Sequence, residues 1–346
     1  MHLAASCRQS HWGSNLRWRQ CMLNESIKGR SLITLEDLST GQIQALINDA
    51  ILRKQMKRNR VFPRKLQNSN IGLIFLRPSC RTRASFMVAA TDEGAHPHVF
   101  AAEELRFGSG ESIKDIARVL GRLFDGIAIR SHETALIEEV AAYAGVPVWN
   151  AMSNQHHPTQ ILADMMTIKE NGIDLSGAVV AYVGHGRGNV VVSLMAGAAK
   201  MGIDLRLVTP PGTEPEPELI SRLFGADKHP MSRLMVTDEP EEGLDNAQVV
   251  YGDMWVYMDT GEDIAALTEG FRNYRITRHM MRLTGRNDTI VLHCLPSQHN
   301  LETTFARAHP YAMDMEDAVF EGPRNRAFDQ AENRMHTIKA LMLATI

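Results

Sequence analysis

Along the first half of the chain, short apolar runs alternate with stretches of helical spacing. IGLIFL (71–76), HVFAA (98–102) and GIAIR (126–130) read as buried strands. Between them, ASFMVAATDEGA predicts a helix ending at Gly94. ESIKDIARVLGRLF predicts one with Ile113, Ile116, Ala117, Leu120, Leu123 and Phe124 on a single face. Upstream, TLEDLSTGQIQALINDAILRK opens a helix for which Ser39 or Thr40 is the expected N-cap. A helix around Glu133–Gly145 and the run VPVWNA continue the alternation. Strands without a polar face, alternating with helices, predict a parallel sheet covered on both sides.

The same logic restarts after HHPTQ. ILADMMTIKEN reads as a helix, AVVAYVG as a strand, VVVSLMAGAAKMG as a helix and DLRLVTP as a strand. PPGTEPEPELI is a loop or helix entry, QVVYGDMW and DTIVLHCLP are further strands, and AENRMHTIKALMLATI is a strongly amphipathic terminal helix. The expected fold class is therefore α/β, in two domains, each a parallel sheet flanked by helices. Ligands of such folds sit at the carboxyl ends of the strands.

Bulk properties narrow the function without naming it. The 346 residues suffice for two cores, and 44% apolar with 22% charged residues is a globular profile. A net charge of −3 provides no global field for nucleic acid or an anionic membrane, so neither is expected as a partner. Cys7, Cys21, Cys80 and Cys294 have neither metal-ligand nor disulfide-scaffold spacing, which points to a reducing, cytoplasmic setting and no bound metal. No apolar run approaches the roughly 18 residues of a membrane span. Residues 1–22 lack periodicity and an apolar signal core, and read as a loose tail. Without a secretory signal, the N-x-S/T triplets at Asn24 and Asn287 read as chance matches.

Any basic feature must be local, and one is. In FLRPSCRTRASF (75–86), Arg77, Arg81 and Arg83 crowd Ser79, Thr82 and Ser85 where a strand gives way to a helix. Free N–H groups at a helix start and guanidinium forks together suit a phosphate. The spacing is not that of a Walker A loop. In HHPTQ, His157 precedes Pro158 at a helix start, a place from which an imidazole can donate to developing negative charge. YVGHGRGN (182–189) has the look of a dinucleotide turn, but Asn189 stands where the last glycine should be and no acidic residue ends the next strand. In HCLPSQHN (293–300), neighbouring strand residues face opposite ways, so His293 is poorly placed to activate Cys294 as a nucleophile.

S-x-R-T-R after an apolar strand, H-P-T-Q followed by L-A-D, H-C-L-P, and a terminal E-N-R-M-H-T-I-K-A occur in that order. Together they resemble the aspartate/ornithine carbamoyltransferases, and the ornithine branch in particular, from about Ile27 to the C-terminus. The resemblance implies a carbamoyl-phosphate-binding domain at 23–155, completed by a C-terminal helix (328–346) packing back on it, and an acceptor-binding domain at 156–327. It implies transfer of a carbamoyl group to an amine, foremost that of L-ornithine, by a homotrimer with shared sites and no cofactor. Ser79, Cys80, Arg81, Thr82, Arg106, Arg130, His157, Gln160 and Arg334 would hold carbamoyl phosphate, with Arg83 supporting the loop. Arg130, His157, Thr82 and Cys294 would act in catalysis. Asn189, Asp253, Tyr257, Met258, Cys294 and Leu295 would hold the acceptor.

The sequence departs from that pattern at Ser109-Gly110 in the subunit-crossing loop and at His185 and Gly188 before Asn189. It departs again at Tyr257-Met258-Asp259, where the ornithine branch has Ser-Met-Gly, and at Ser297-Gln298 after H-C-L-P. Two alternatives stay open: a carbamoyltransferase for a different amine, and a non-catalytic ligand-binding paralogue.

Overall fold

The computed structural model describes residues 26–105, 107–255 and 264–346. Residues 1–22, Arg106, Tyr257, Met258 and Asp259 lie outside them, and so do the expectations placed there.

The N-terminal half holds four parallel strands, β1 (Asn70–Phe75), β2 (His96–Ala101), β3 (Gly126–Arg130) and β4 (Val148–Met152), in the order β2-β1-β3-β4. Four longer helices accompany them: α1 (Thr40–Arg58), α2 (Cys80–Asp92), α3 (Ile113–Leu123) and α4 (Thr134–Ala144). Ser39 caps α1, with Gln42 returning a bond to the Ser39 N–H. A separate turn, Leu35–Asp37, precedes it under its own Thr34–Asp37 capping box, so the TLEDL segment is not part of α1.

On α3 the expected apolar face is narrower than the sequence suggests. Ile116, Ala117 and Leu120 are buried against α4 and the sheet, whereas Leu123 is 62% exposed and Phe124 already has extended backbone. The helix ends one residue before its hydrophobic pattern does. At its C-terminal part, Gly121 passes so close to the Ala144 carbonyl that a Cβ would lie 1.7 Å from the oxygen.

The second half starts with α5 (Pro158–Glu170) and carries five parallel strands in the order β7-β6-β5-β8-β9. These are β5 (Val179–Val183), β6 (Asp204–Val208), β7 (Arg233–Thr237), β8 (Val249–Gly252) and β9 (Ile290–His293), with α6 (Asn189–Met201) following β5. The edge strand β7 escaped the sequence reading because its segment, RLMVT, is only half buried and has no long apolar run.

The last helix, α7 (Ala327–Thr345), packs against α1, α2 and α5, returning the chain to the N-terminal half. It buries polar as well as apolar residues, which its amphipathic pattern does not announce. Asn333, Arg334, His336, Thr337 and Lys339 are buried alongside Ile338, Leu341 and Met342. Buried polar groups need partners, and most find them. Lys339 Nζ pairs with Asp92 at 2.7 Å, and Asn333 Oδ1 accepts from Lys54 Nζ at 2.7 Å. The expected α/β class with two helix-flanked parallel sheets and a returning terminal helix is thus the observed one.

Candidate active site

In each sheet the strand order reverses at one point, between β1 and β3 and between β5 and β8. Crossovers then leave in opposite directions and open a crevice at the carboxyl ends. The sequence-predicted residues gather at these two crevices.

At the first, Phe75 pairs with Arg130, so the loop leaving β1 starts beside that arginine. The loop enters α2 under Ser79, whose Oγ accepts from the Thr82 N–H at 3.3 Å. The remaining first-turn N–H groups face the crevice with the positive end of the helix dipole. Arg334 of α7 reaches across to donate from Nη2 to Thr82 Oγ1 at 2.8 Å. The three arginines of the knot do not converge as expected. Arg81 donates across the molecule to the Leu295 carbonyl at 2.7 Å, and Arg77 turns to His132. Arg83 is exposed and makes no hydrogen bond or ion pair among the described residues. Two residues of helix turn the chain by about 200°, so 81 and 83 stand on opposite faces of α2. Cys80 is an exposed helix-start residue.

β4 ends in a local irregularity. Its register with β3 slips between Ile129 and Arg130, leaving Ala151 unpaired, and Met152 adopts φ 137°. Such backbone is rare without glycine and persists where neighbours over-determine it. Here the Met152 N–H donates to Asn150 Oδ1 at 2.9 Å, and its carbonyl accepts from the Ser131 N–H at 3.1 Å. The bend delivers Ser153–His157 to the crevice. His157 precedes Pro158 at the head of α5, and its N–H donates to Ser193 Oγ at 2.7 Å. Its side chain does not cap the helix. Burial, followed by the charges of Arg334, Arg130 and Arg81, holds its pKa well below the usual histidine range, so the imidazole is neutral at physiological pH.

One turn on, Gln160 Nε2 donates to the buried Asp164 at 2.9 Å, rather than pointing back to the helix start. His157 Nδ1, Gln160 Oε1 and Arg334 Nε are buried without hydrogen-bond partners. Burial and the like charges of Arg130 and Arg81, against the opposing pull of Cys294, lower Arg334 to about 10, which leaves it charged.

At the second crevice, Gly252 pairs with His293, so Asp253 and Cys294 leave adjacent strands side by side. Burial lifts Asp253 to about 6, while the nearby His293 and the Met254 N–H hold it from rising further. Burial and the Asp253 carboxylate push the Cys294 thiol far above its ordinary value. His293 does not serve Cys294, as strand alternation required: its Nδ1 accepts from the Leu295 N–H at 3.0 Å. Leu295 sits at φ 58°, fixed on one side by that bond and on the other by Arg81. Asn189 is buried at the start of α6 and donates from Nδ2 to the Ser153 carbonyl at 2.6 Å, tying the second crevice to the β4 bend.

Ser297 Oγ and the Gln298 N–H both donate to the buried Asp314, at 2.5 and 2.9 Å. The dinucleotide-like turn is filled by protein. A Cβ on Gly186 would meet the Thr213 carbonyl at 2.6 Å, His185 stacks on Phe271, and Arg187 Nε donates to the Glu214 carbonyl.

Residues 30–170 match the family model for the aspartate/ornithine carbamoyltransferase carbamoyl-P binding domain, and residues 176–345 match that for the Asp/Orn binding domain. The chain belongs to the aspartate/ornithine carbamoyltransferase family. Among carbamoyltransferases it is 46% identical over 321 residues to "Ornithine carbamoyltransferase 2, phaseolotoxin-insensitive" of Pseudomonas syringae pv. actinidiae, covering 93% of this chain and 98% of that one. It is 39% identical over 325 residues to a catabolic ornithine carbamoyltransferase of Staphylococcus aureus, covering 92% and 97%. The solved ornithine carbamoyltransferase of Pyrococcus furiosus superposes with a TM-score of 0.84 at 32% identity, covering 92% of this chain and 98% of that one.

Several residues of this carbamoyltransferase site carried no role in the sequence reading. Tyr251, Gln330 and Asp314 lie in apolar or unremarkable surroundings in the sequence. Asp164 is the last residue of the L-A-D that follows H-P-T-Q, four residues after Gln160, a spacing at which helical side chains meet. Among the described residues, His299, Asp317 and Glu321 bring three potential metal ligands together. They lie on the rim of a cavity of about 440 Å³ that also includes Arg81 and Leu295, and His299 is engaged with Asp317 at 2.7 Å.

Proposed function

We propose that the protein transfers the carbamoyl group of carbamoyl phosphate to the side-chain amine of L-ornithine, giving L-citrulline and phosphate. The observation that carries this reading is one convergence: the α2 start, Arg130, neutral His157, Gln160 and Arg334 face the Asp253–Cys294–Leu295 corner across the Arg81–Leu295 bond.

Ser79, the Cys80 and Arg81 N–H groups, the Thr82 hydroxyl and Arg81 hold the phosphate. Arg130, His157 and Thr82 donate to the carbamoyl oxygen. A neutral His157 donates without bringing a fourth full positive charge beside three arginines. The amine lone pair attacks the carbamoyl carbon, and negative charge collects on its oxygen. The carbon–oxygen bond to phosphate then breaks, and phosphate leaves with the amine proton. Asp253 binds the acceptor's α-ammonium, Asn189 its α-carboxylate, and Cys294 with the Leu295 backbone the reacting amine.

The halves divide as a carbamoyl-phosphate domain (23–155 with 328–346) and an acceptor domain (156–327). A homotrimer, with Arg106 crossing to a neighbouring copy and Tyr257 and Met258 closing the acceptor side, completes the proposal. So does a cytoplasmic place in arginine metabolism.

Two of the departures from the ornithine pattern now have another explanation. Ser297 Oγ and the Gln298 N–H bond Asp314 and pin the loop, and the Gln298 side chain accepts from Thr303 Oγ1 at 3.2 Å, which engages both side chains away from the acceptor and favours ornithine. The test is ureido-product formation from carbamoyl phosphate with ornithine, lysine, putrescine, acetylornithine and aspartate. Ornithine is expected to be used best. A clear preference for another amine replaces the acceptor assignment, and binding of carbamoyl phosphate without turnover on any amine favours a non-catalytic paralogue.

A further inference from the structure

A glutamine amide presents an acceptor at one end and donors at the other, and the two are nearly equal in shape. A site that needs one orientation must enforce it. Gln160 leads with Nε2 toward Asp164 Oδ1, so that Oε1 faces away, buried and without a partner, beside His157. Asp164 Oδ1 also accepts from Gln330 Nε2 at 2.7 Å, and its Oδ2 accepts from the Tyr251 hydroxyl at 2.7 Å. An ionised carboxylate only accepts. The reversed amide would set its oxygen against that carboxylate.

We propose that Asp164 is a positioning residue for carbamoyl transfer: its carboxylate fixes the Gln160 amide so that the oxygen, not the nitrogen, meets the carbamoyl NH2. This rests on Gln160 being a carbamoyl contact. The same carboxylate extends toward the acceptor side, because Gln330 Oε1 accepts from the His293 N–H at 2.9 Å, one residue before Cys294. One buried anion thus ties α5, β8, the end of β9 and α7 together.

The arrangement is sensitive to protonation. Burial lifts Asp164 to about 7, against the bonds from Tyr251, Gln160 and Gln330 and the charge of Arg334. The titratable groups facing it are Tyr251 from β8, Cys294 after β9 and Arg334 from α7; burial raises the first two, so they stay neutral, and Arg334 stays charged. Protonation would put a hydrogen among three donors and force one of them to turn.

The experiment is titration calorimetry of carbamoyl phosphate without acceptor, on wild type, Gln160→Ala, Asp164→Leu and the double variant. Losing the hydrogen bond weakens binding about tenfold in Gln160→Ala, and Asp164→Leu is expected to match it. The double variant then binds within about twofold of Gln160→Ala, because one interaction is lost twice. Effects that multiply instead overturn the positioning role. Unchanged binding by Gln160→Ala removes the contact itself, and with it that part of the site assignment.

Should Asp164→Leu fail to fold, Asp164→Asn decides. It gives the three donors the neutral pattern of the protonated acid, one acceptor and one donor, at every pH. Wild-type affinity is expected to fall as pH drops through about 7, and Asp164→Asn to bind throughout as weakly as wild type does on the acid side, without that step. A step that survives in Asp164→Asn overturns the proposal.

Discussion

The two sides of the site are assembled differently. On the proposed carbamoyl side, each side chain stands at or inside a regular element: Thr82 in the first turn of α2, Arg130 on the last residue of β3, His157 and Gln160 at the head of α5, and Arg334 within α7. On the proposed acceptor side, Asp253, Cys294 and Leu295 occupy irregular chain beyond β8 and β9, where Asp253 accepts from the Met254 N–H and Leu295 donates to His293 Nδ1 and accepts from Arg81. Groups fixed by packed elements are held to the geometry that transition-state stabilisation needs. Groups on loops can be re-aimed by one or two substitutions without disturbing a core. On the proposed assignment, carbamoyl transfer rests mainly on the elements and the choice of acceptor mainly on the loops. Among the described residues, the departures from the ornithine pattern at 109–110, 185, 188 and 297–298 lie outside regular elements, and none falls on S-x-R-T-R or H-P-T-Q.

The largest expected effect tests that division directly. Removing a preorganised donor from the transition state typically costs about 10²–10³ in rate. Arg81→Ala removes both a phosphate ligand and the bond to Leu295, so turnover is expected to fall at least that far. The loss should be the same for ornithine and for every other amine used. An acceptor-selective loss would show that Arg81 acts through the Leu295 loop rather than through phosphate, and the comparison would break.

A smaller, one-sided effect is expected at Asp253. Replacing it with asparagine removes a charge-assisted contact, worth about 1.5–3 kcal/mol, so ornithine kcat/KM should fall roughly tenfold to a hundredfold. Calorimetric affinity for carbamoyl phosphate should stay unchanged. The pH dependence has a definite sign. With its pKa lifted to about 6, Asp253 takes up its proton while the solution is only mildly acidic and loses its hold on an ammonium group. Ornithine KM in the wild type should therefore rise as pH falls through about 6, and this rise should be absent in Asp253→Asn.

How far the sequence reveals each side follows from the same difference. The carbamoyl residues are legible because strand ends, an N-cap and a Pro at N1 impose local patterns: Ser79, Arg81 and Thr82 follow IGLIF, and His157 precedes Pro158. Fold class and the two sheets are legible through the same periodicities. Long-range polar burial is not. Nothing in AENRMHTIKALMLATI announces that Lys339 meets Asp92 or that Asn333 meets Lys54, so the helix reads as amphipathic when it is enclosed by α1, α2 and α5. The strained Met152 likewise has no sequence signal, since its conformation is imposed by a register slip between two strands. The arginine knot was read by composition, and only helix geometry separates Arg81, which crosses the crevice, from Arg83, which does not.

The smallest expected effect, at Cys294, distinguishes a contact from a nucleophile. A thiolate would need a lowered pKa or an adjacent base. Burial and the Asp253 carboxylate act in the opposite direction, and the neighbouring His293 nitrogen is already engaged by the Leu295 N–H. The group at this position is therefore a neutral thiol, for which a hydroxyl is a fair substitute. Cys294→Ser should change ornithine kcat/KM by no more than about tenfold, the worth of one neutral hydrogen bond. It should leave the pH profile of kcat in place, since no thiolate has been lost. Iodoacetamide should label the exposed Cys80 ahead of Cys294. Collapse of turnover in Cys294→Ser, with carbamoyl phosphate still bound, would move Cys294 from the acceptor loop into the chemical step, and the acceptor side would then be catalytic in its own right.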